Sequence, residues 1–245
     1  MREELFRMPL YWFSSLVVWA ALKLKYRFQY EGRENVPSKG GLIFAANHCS
    51  YLDPPVLACS INNRLVHFMA RETLMSNPVA RWYFPRIGMI PLDREHADVA
   101  AMKKALALLK EGKAIALFPE GTRSPDGELH EAKGGIGFLM TRGKAPVIPM
   151  HIAGTYEAFP KGASRLRRSR IIVKIGKPIS VEELVASMTS KKDFESPGRL
   201  VMERIAALGG RALPPAPARA AIEGTALAEG GGLGRLGLDG GRGED

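Results

Sequence analysis

Short apolar runs alternate with polar, helix-compatible stretches through most of this chain. Residues 41–46 (Gly-Leu-Ile-Phe-Ala-Ala) contain no polar side chain, the pattern of a strand covered on both faces. Residues 65–70, 113–118, 145–153 and 171–175 read as strands of the same kind, and 87–94 as a short strand or an extended loop. Ala97 to Glu111 is rich in Ala, Leu and Lys and is followed by Gly112, which predicts a helix and its stop. Asp53-Pro54-Pro55 breaks the chain after the first run, and Val56 to Cys59 continue as a helix. Gly134, Gly135 and Gly137 make a turn opening another helix, without the lysine and hydroxyl residue of a phosphate loop. Strands alternating with helices predict one α/β domain, its sheet largely parallel or mixed and flanked by helices.

The two ends break this rhythm. Met8 to Leu22 is uncharged and flanked by Arg7 and Lys23. Its length falls short of the roughly 20 residues that cross a bilayer as a helix. Tyr11, Trp12, Phe13 and Trp19 favour the headgroup boundary, and Arg2, Arg7, Lys23, Lys25 and Arg27 suit anionic lipid. A helix lying in one leaflet fits better than a signal peptide, because Glu3 and Glu4 spoil a basic start and a small-residue cleavage site is lacking. A buried core helix is the other alternative. Beyond Gly209, three prolines and a Gly-rich run cannot bury enough apolar surface to offset ordering, so a disordered tail is expected. The expected organisation is a membrane-anchoring segment over 1–28, a catalytic domain over 29–208 and the tail over 209–245.

Charge narrows the partners. The net charge is +10, and the tail is slightly acidic, so the excess lies in the body, with a local run at Arg165, Arg167, Arg168 and Arg170. A basic body suits nucleic acid, anionic lipid or phosphorylated substrates. Aromatics are not interleaved with the basic residues as base-stacking platforms, which argues against nucleic acid. Taken alone, the arginine run reads as a solvated surface. Cys49 and Cys59 are too few for a disulfide framework and suit a reducing compartment.

The chemistry concentrates in two segments. His48 follows the first apolar run, and Asp53 comes five residues later. Imidazole takes a proton near neutral pH, and a nearby carboxylate fixes its tautomer. Downstream, Phe118-Pro119-Glu120-Gly121-Thr122-Arg123-Ser124 joins a close-approach glycine to a hydroxyl and to an arginine matched to phosphate. On those residues alone, a local Glu120–Arg123 ion pair is an equal alternative. Ser50 lacks the Gly-x-Ser-x-Gly turn of a serine nucleophile and reads as a loop residue or cap. Cys49 reads as a bystander. His67, His96, His130 and His151 lack nearby ligand sets, and His48 with Asp53 is too sparse for zinc.

Together these segments resemble the glycerolipid acyltransferase family, most closely its bacterial 1-acyl-sn-glycerol-3-phosphate acyltransferases. The resemblance runs from about Tyr30 to Pro178 and holds four motifs in the family's order. It implies that His48 and Asp53 are catalytic, with Asn47 and Pro119 in support. Arg94, at the end of Ile90 to Arg94, and Glu120, Gly121, Thr122 and Arg123 are implied to serve the acceptor phosphate. Val147 to Met150 resembles the fourth motif, with Pro149 as structural support. The implied reaction moves a fatty acyl group from acyl-CoA or acyl carrier protein to the sn-2 hydroxyl of lysophosphatidic acid, giving phosphatidic acid. No metal or redox cofactor is implied, and the implied site of action is the cytoplasmic face of a phospholipid membrane. Alternatives are another acceptor (a lysophospholipid, glycerol-3-phosphate or a lyso-aminolipid), a lipid-ester hydrolase, and a non-enzymatic lipid-binding protein.

Overall fold

Strand β2 (Leu42–Ala46) is buried along its whole length, because both faces of the sheet are covered. Leu42, Phe44 and Ala46 enter one core, and Ile43 and Ala45 enter the other. This is the period-two division of an inner strand. The computed structural model describes residues 9–61, 63–92, 99–133 and 135–213. Arg94, His96, residues 1–8 and the expected tail from 214 onward lie outside the described residues.

The other strands are β1 (Gln29–Glu31), β3 (Val66–Arg71), β4 (Ile90–Leu92), β5 (Ala114–Leu117), β6 (Val147–Ala153) and β7 (Ile172–Ile175). They form a seven-stranded sheet in the order β1-β7-β6-β2-β5-β3-β4. From β6 to β4 all neighbours are parallel, β7 is antiparallel to β6, and β1 is parallel to β7. The sheet is therefore mixed, within what the sequence predicts. The ambiguous segment 87–94 holds the strand Ile90–Leu92.

One sheet face is covered by α1 (Pro9–Tyr26) and α2 (Asp53–Ser60), through Leu22, Tyr26, Val56, Leu57 and Cys59. The other is covered by α4 (Val99–Lys110), α5 (Gly135–Gly143), α7 (Val181–Ala186) and α8 (Glu195–Leu208). Helices α3 (Pro78–Arg86) and α6 (Thr155–Ala158) complete the element order. In α4 the buried side chains are Ala101, Ala105 and Leu109, four apart along one stripe. Asn77 caps α3 by accepting the Ala80 N–H at 2.8 Å, and Pro78 takes the first helical position, where no N–H is needed.

Pro149 sits inside the sheet, where a proline needs a reason. Ile43 N–H donates to Pro146 O at 3.1 Å, so alternate residues from Pro146 face β2 and Pro149 faces β7. The β7 ladder ends at the Met150–Ile175 pair. Pro149 still accepts from Gly176 N–H at 2.8 Å, and the one donor that proline cannot supply falls where the ladder ends.

Helix α1 does two things at once. Tyr11, Leu22 and Tyr26 are buried against the body, as the core-helix alternative required, while Phe13, Leu16, Val17, Trp19 and Leu24 are exposed. Among the described residues, no helix is long and apolar enough to cross a membrane.

Phe44 lies at the middle of β2 and is fully buried. Phe44→Ala is expected to cost about 3–5 kcal/mol, read from the shift in urea midpoint. A loss below about 1 kcal/mol would contradict its burial between α2 and the sheet.

Candidate active site

Adjacent strands β2 and β5 leave the sheet on opposite faces: β2 continues into α2, and β5 leads on to α5. Such a divergence opens a crevice at the carboxyl ends of the strands. His48 follows β2 and Glu120 to Arg123 follow β5, so the two predicted segments meet in that crevice.

His48 Nδ1 lies 2.8 Å from Asp53 Oδ2. The same oxygen accepts Cys49 N–H and Ser50 N–H, each at 2.7 Å. Asp53 is fully buried at the first residue of α2, and those donors with the helix amino terminus offset the cost of burying a carboxylate. Two backbone donors mark Oδ2 as an acceptor, so the hydrogen between it and the ring belongs to Nδ1. That leaves Nε2 as the basic nitrogen. The Phe118 ring stacks on the imidazole, centroids 4.0 Å apart and planes at 16°, which holds its plane. The His48 side chain keeps 16% exposure, enough to be reached.

The second segment grips the first by the backbone. His48 N–H donates to Glu120 Oε1 at 3.0 Å, and Ser124 N–H donates to His48 O at 2.7 Å. Glu120 is only 3% exposed, and its other oxygen, Oε2, is buried without a hydrogen-bond partner. Burial, then the nearby Asp53 and Asp126 charges, push its pKa up to about 8, against the opposing pull of the His48 N–H. At neutral pH Glu120 is therefore mostly protonated. It does not form the local ion pair with Arg123 that was the alternative reading.

Arg123 instead lies over the Tyr51 ring, 3.5 Å from guanidinium carbon to centroid. Such a cation–π contact is worth about 0.5–2 kcal/mol. Its Nη1 is buried without an acceptor, so a donor is left for an incoming anion. Gly121 has φ 66°, the left-handed region that favours glycine. A Cβ there would come within 2.8 Å of the Lys133 side chain. Thr122 is exposed, and buried Pro119 accepts the Lys133 N–H at 2.9 Å.

Asn47 behaves as an extra rung of the sheet. Its Nδ2 donates to Ile152 O at 2.9 Å and its Oδ1 accepts Ile152 N–H at 2.7 Å, which fixes where β2 ends and His48 begins. The other polar candidates are occupied. Ser50 Oγ donates to Phe159 O at 2.7 Å and accepts Leu52 N–H at 3.1 Å. Burial pushes the Cys49 thiol up to about 12, so it holds no thiolate near neutrality. Burial, then Arg211 and Lys174, lowers His151 to about 4, leaving a neutral packed histidine.

Phe118, Tyr51 and Lys133 are site residues that sequence reasoning gave no role. Phe118 and Tyr51 lie inside the two motif runs, where an aromatic next to a candidate base or cation is a readable signal. Lys133 carries no such signal, being brought to Gly121 only by the turn after β5.

The acyltransferase family model matches residues 27–153. The chloroplastic 1-acyl-sn-glycerol-3-phosphate acyltransferase of Brassica napus is 30% identical over 187 residues, covering 73% of this chain and 54% of that one. The 1-acyl-sn-glycerol-3-phosphate acyltransferase of Bacillus subtilis is 26% identical over 196 residues, covering 80% of this chain and 95% of its own length. The chain thus spans about half the length of its plant relatives. The crystal structure of the 1-acyl-sn-glycerophosphate acyltransferase of Thermotoga maritima matches with a TM-score of 0.66 at 27% identity, covering 84% of this chain and 80% of that one.

Two measurements check this geometry. Asn47→Ala leaves buried backbone groups of Ile152 unpaired and is expected to cost about 1–3 kcal/mol, read by chemical denaturation. Glu120 holds a proton in the folded chain that the unfolded chain releases above its ordinary value of 4.5. Its contribution to stability is therefore full below about pH 4.5 and is lost as pH rises through about 8. Glu120→Gln keeps the acceptor for His48 N–H and removes that proton. The drop in Tm between about pH 5 and about pH 9 should shrink in this variant, and an unchanged drop would place the titration elsewhere.

Proposed function

Because the chain belongs to the acyltransferase family, we propose that it transfers a fatty acyl group from acyl-CoA or acyl carrier protein to the sn-2 hydroxyl of 1-acyl-sn-glycerol-3-phosphate, giving phosphatidic acid. The observation that carries this reading is the His48–Asp53 pair, its tautomer fixed by two backbone donors on one carboxylate oxygen, bonded through the His48 backbone to the segment that carries Arg123 and its unspent donor. The relatives named above act, by their names, on this acceptor.

In this reading Nε2 of His48 takes the proton of the acceptor hydroxyl as its oxygen attacks the thioester carbonyl. Asp53 stabilises the imidazolium that forms. The tetrahedral intermediate collapses, the carbon–sulfur bond breaks, and the proton on His48 passes to the departing thiolate. No acyl-enzyme is needed, consistent with the spent hydroxyl of Ser50 and the raised pKa of Cys49. Arg123, with Thr122 and Gly121 beside it in the chain, takes the acceptor phosphate. Glu120 braces the segment through the His48 N–H. Arg94 is proposed as a second phosphate partner on the family motif alone.

The proposed place of work is a membrane surface, reached by α1. Phe13, Leu16, Val17, Ala20 and Leu24 fall at helical spacing on one stripe, opposite the core-facing Tyr11, Val18, Leu22 and Tyr26. A helix apolar on both sides needs an apolar partner on its outer side. Lys23 and Lys25 flank that stripe with stems long enough to reach headgroups. The cytoplasmic face remains the proposed side.

The test is acyl transfer by purified protein, with labelled acyl-CoA and acyl carrier protein offered separately against lysophosphatidic acid. His48→Ala is expected to lower kcat by at least about 10²-fold with its fold intact. Asp53→Asn is expected to lower kcat with little change in acceptor KM, and Arg123→Ala chiefly to raise that KM. Absence of phosphatidic acid with either donor would sink the acceptor assignment, and free fatty acid released without acceptor would favour a hydrolase.

A further inference from the structure

The loop between α6 and β7 is the most basic stretch of the chain. It carries Lys161, Arg165, Arg167, Arg168 and Arg170, all exposed, and between Glu157 and Glu182 the sequence has no carboxylate side chain. Leu166, in its middle, is 47% exposed. As a sequence this run reads as a solvated surface. The fold gives it two neighbours that change the reading.

The first neighbour is the end of α1. Ile171 N–H donates to Tyr26 O at 3.0 Å, Gln29 N–H donates to Ile171 O at 3.0 Å, and Arg170 donates to Gln29 Oε1 at 2.7 Å. These bonds set the arginine loop beside Lys23, Lys25 and Arg27, at the end of the helix that carries the exposed apolar stripe. The second neighbour is the active site. Phe159 O accepts from Ser50 Oγ, Pro160 bridges Ser50, and the Phe159 ring packs 5.9 Å from Tyr51, the ring beneath Arg123. Of the nearby carboxylates, Glu31 pairs with Lys174 at 3.8 Å, and Glu157, beside the Ala158 that accepts from Arg167 N–H, offsets one of the five cations.

We infer that residues 161–170 and the basic end of α1 form one docking surface for anionic phospholipid, which seats the mouth of the active site against the bilayer. The inference rests on the proposed membrane role of α1 and adds the electrostatic half of the contact. Apolar stripe, flanking cations and an exposed leucine within the arginines together match a charged lipid surface, where each cation adds its own increment of binding. An acidic helix of a carrier protein would match the charge but not the apolar stripe.

The experiment is vesicle cosedimentation of the full chain and of the R165Q/R167Q/R168Q variant. Vesicles of phosphatidylcholine alone are compared with phosphatidylcholine mixed with phosphatidylglycerol. The intact chain is expected to bind the mixed vesicles more tightly, with an advantage that salt removes. The glutamine variant is expected to lose affinity for mixed vesicles by on the order of 10- to 100-fold while binding neutral ones unchanged, and R165K/R167K/R168K is expected to retain it. Equal binding of mixed vesicles by the glutamine variant and the intact chain overturns the proposal. So does a rise in KM for acyl carrier protein, measured without vesicles, as the variant's only defect. Failure of the intact chain to bind neutral vesicles would sink the role of α1 instead. The difference between the two vesicle types reads the loop separately, and neither depends on acyl transfer.

Discussion

A single carboxylate oxygen organises the candidate site. Asp53 Oδ2 collects the imidazole N–H and the amides of Cys49 and Ser50, and those three bonds fold the turn between β2 and α2 around it. A buried carboxylate is costly in isolation and becomes stabilising when its donors are preorganised. The same arrangement orients the ring and assigns its proton to Nδ1. The base, its tautomer and the start of α2 are consequences of one interaction, and loss of the charge would disturb all three together.

That turn is useful only because the sheet places a second loop against it. β2 and β5 are register neighbours, Leu42 to Ala45 beside Ala114 to Leu117, so both chains emerge side by side at the same edge. Their opposite exits keep the space between them open. The backbone bonds from His48 to Glu120 and from Ser124 to His48 then lock the loops in place. Glu120 contributes from beneath, where burial holds its proton, and the half-buried Arg123 keeps an unspent donor to meet an anion.

The β6–β7 connection and α1 extend this logic to the protein's surroundings. β7 runs antiparallel to β6, so the connecting loop lies at the same edge as His48. β1 is parallel to β7, which brings the end of α1 to that edge as well. The basic loop, the end of α1 and His48, remote in sequence, share one edge because of strand direction.

The local features are legible in the order of residues along the chain. Five buried or near-buried apolar runs, the proline break at Asp53 and the helix ending at Gly112 announce themselves, because strand burial and helix stops are written in neighbouring residues. His48 and Asp53 could be paired on spacing, since one turn separates them. Strand β1 is three residues long, α3 contains Pro85, and α8 opens with Glu195-Ser196-Pro197-Gly198, so short length or turn-like composition hid them. Other features depend on contacts that no local pattern records. Glu120 serves His48 from 72 positions away, and Asn47 meets Ile152 across 105. Arg123 lies over Tyr51 rather than pairing with Glu120 three residues before it, and the arginine loop is tied to the segment that ends α1. Strand order and direction bring these groups together, and those are set by how the whole sheet buries its two faces.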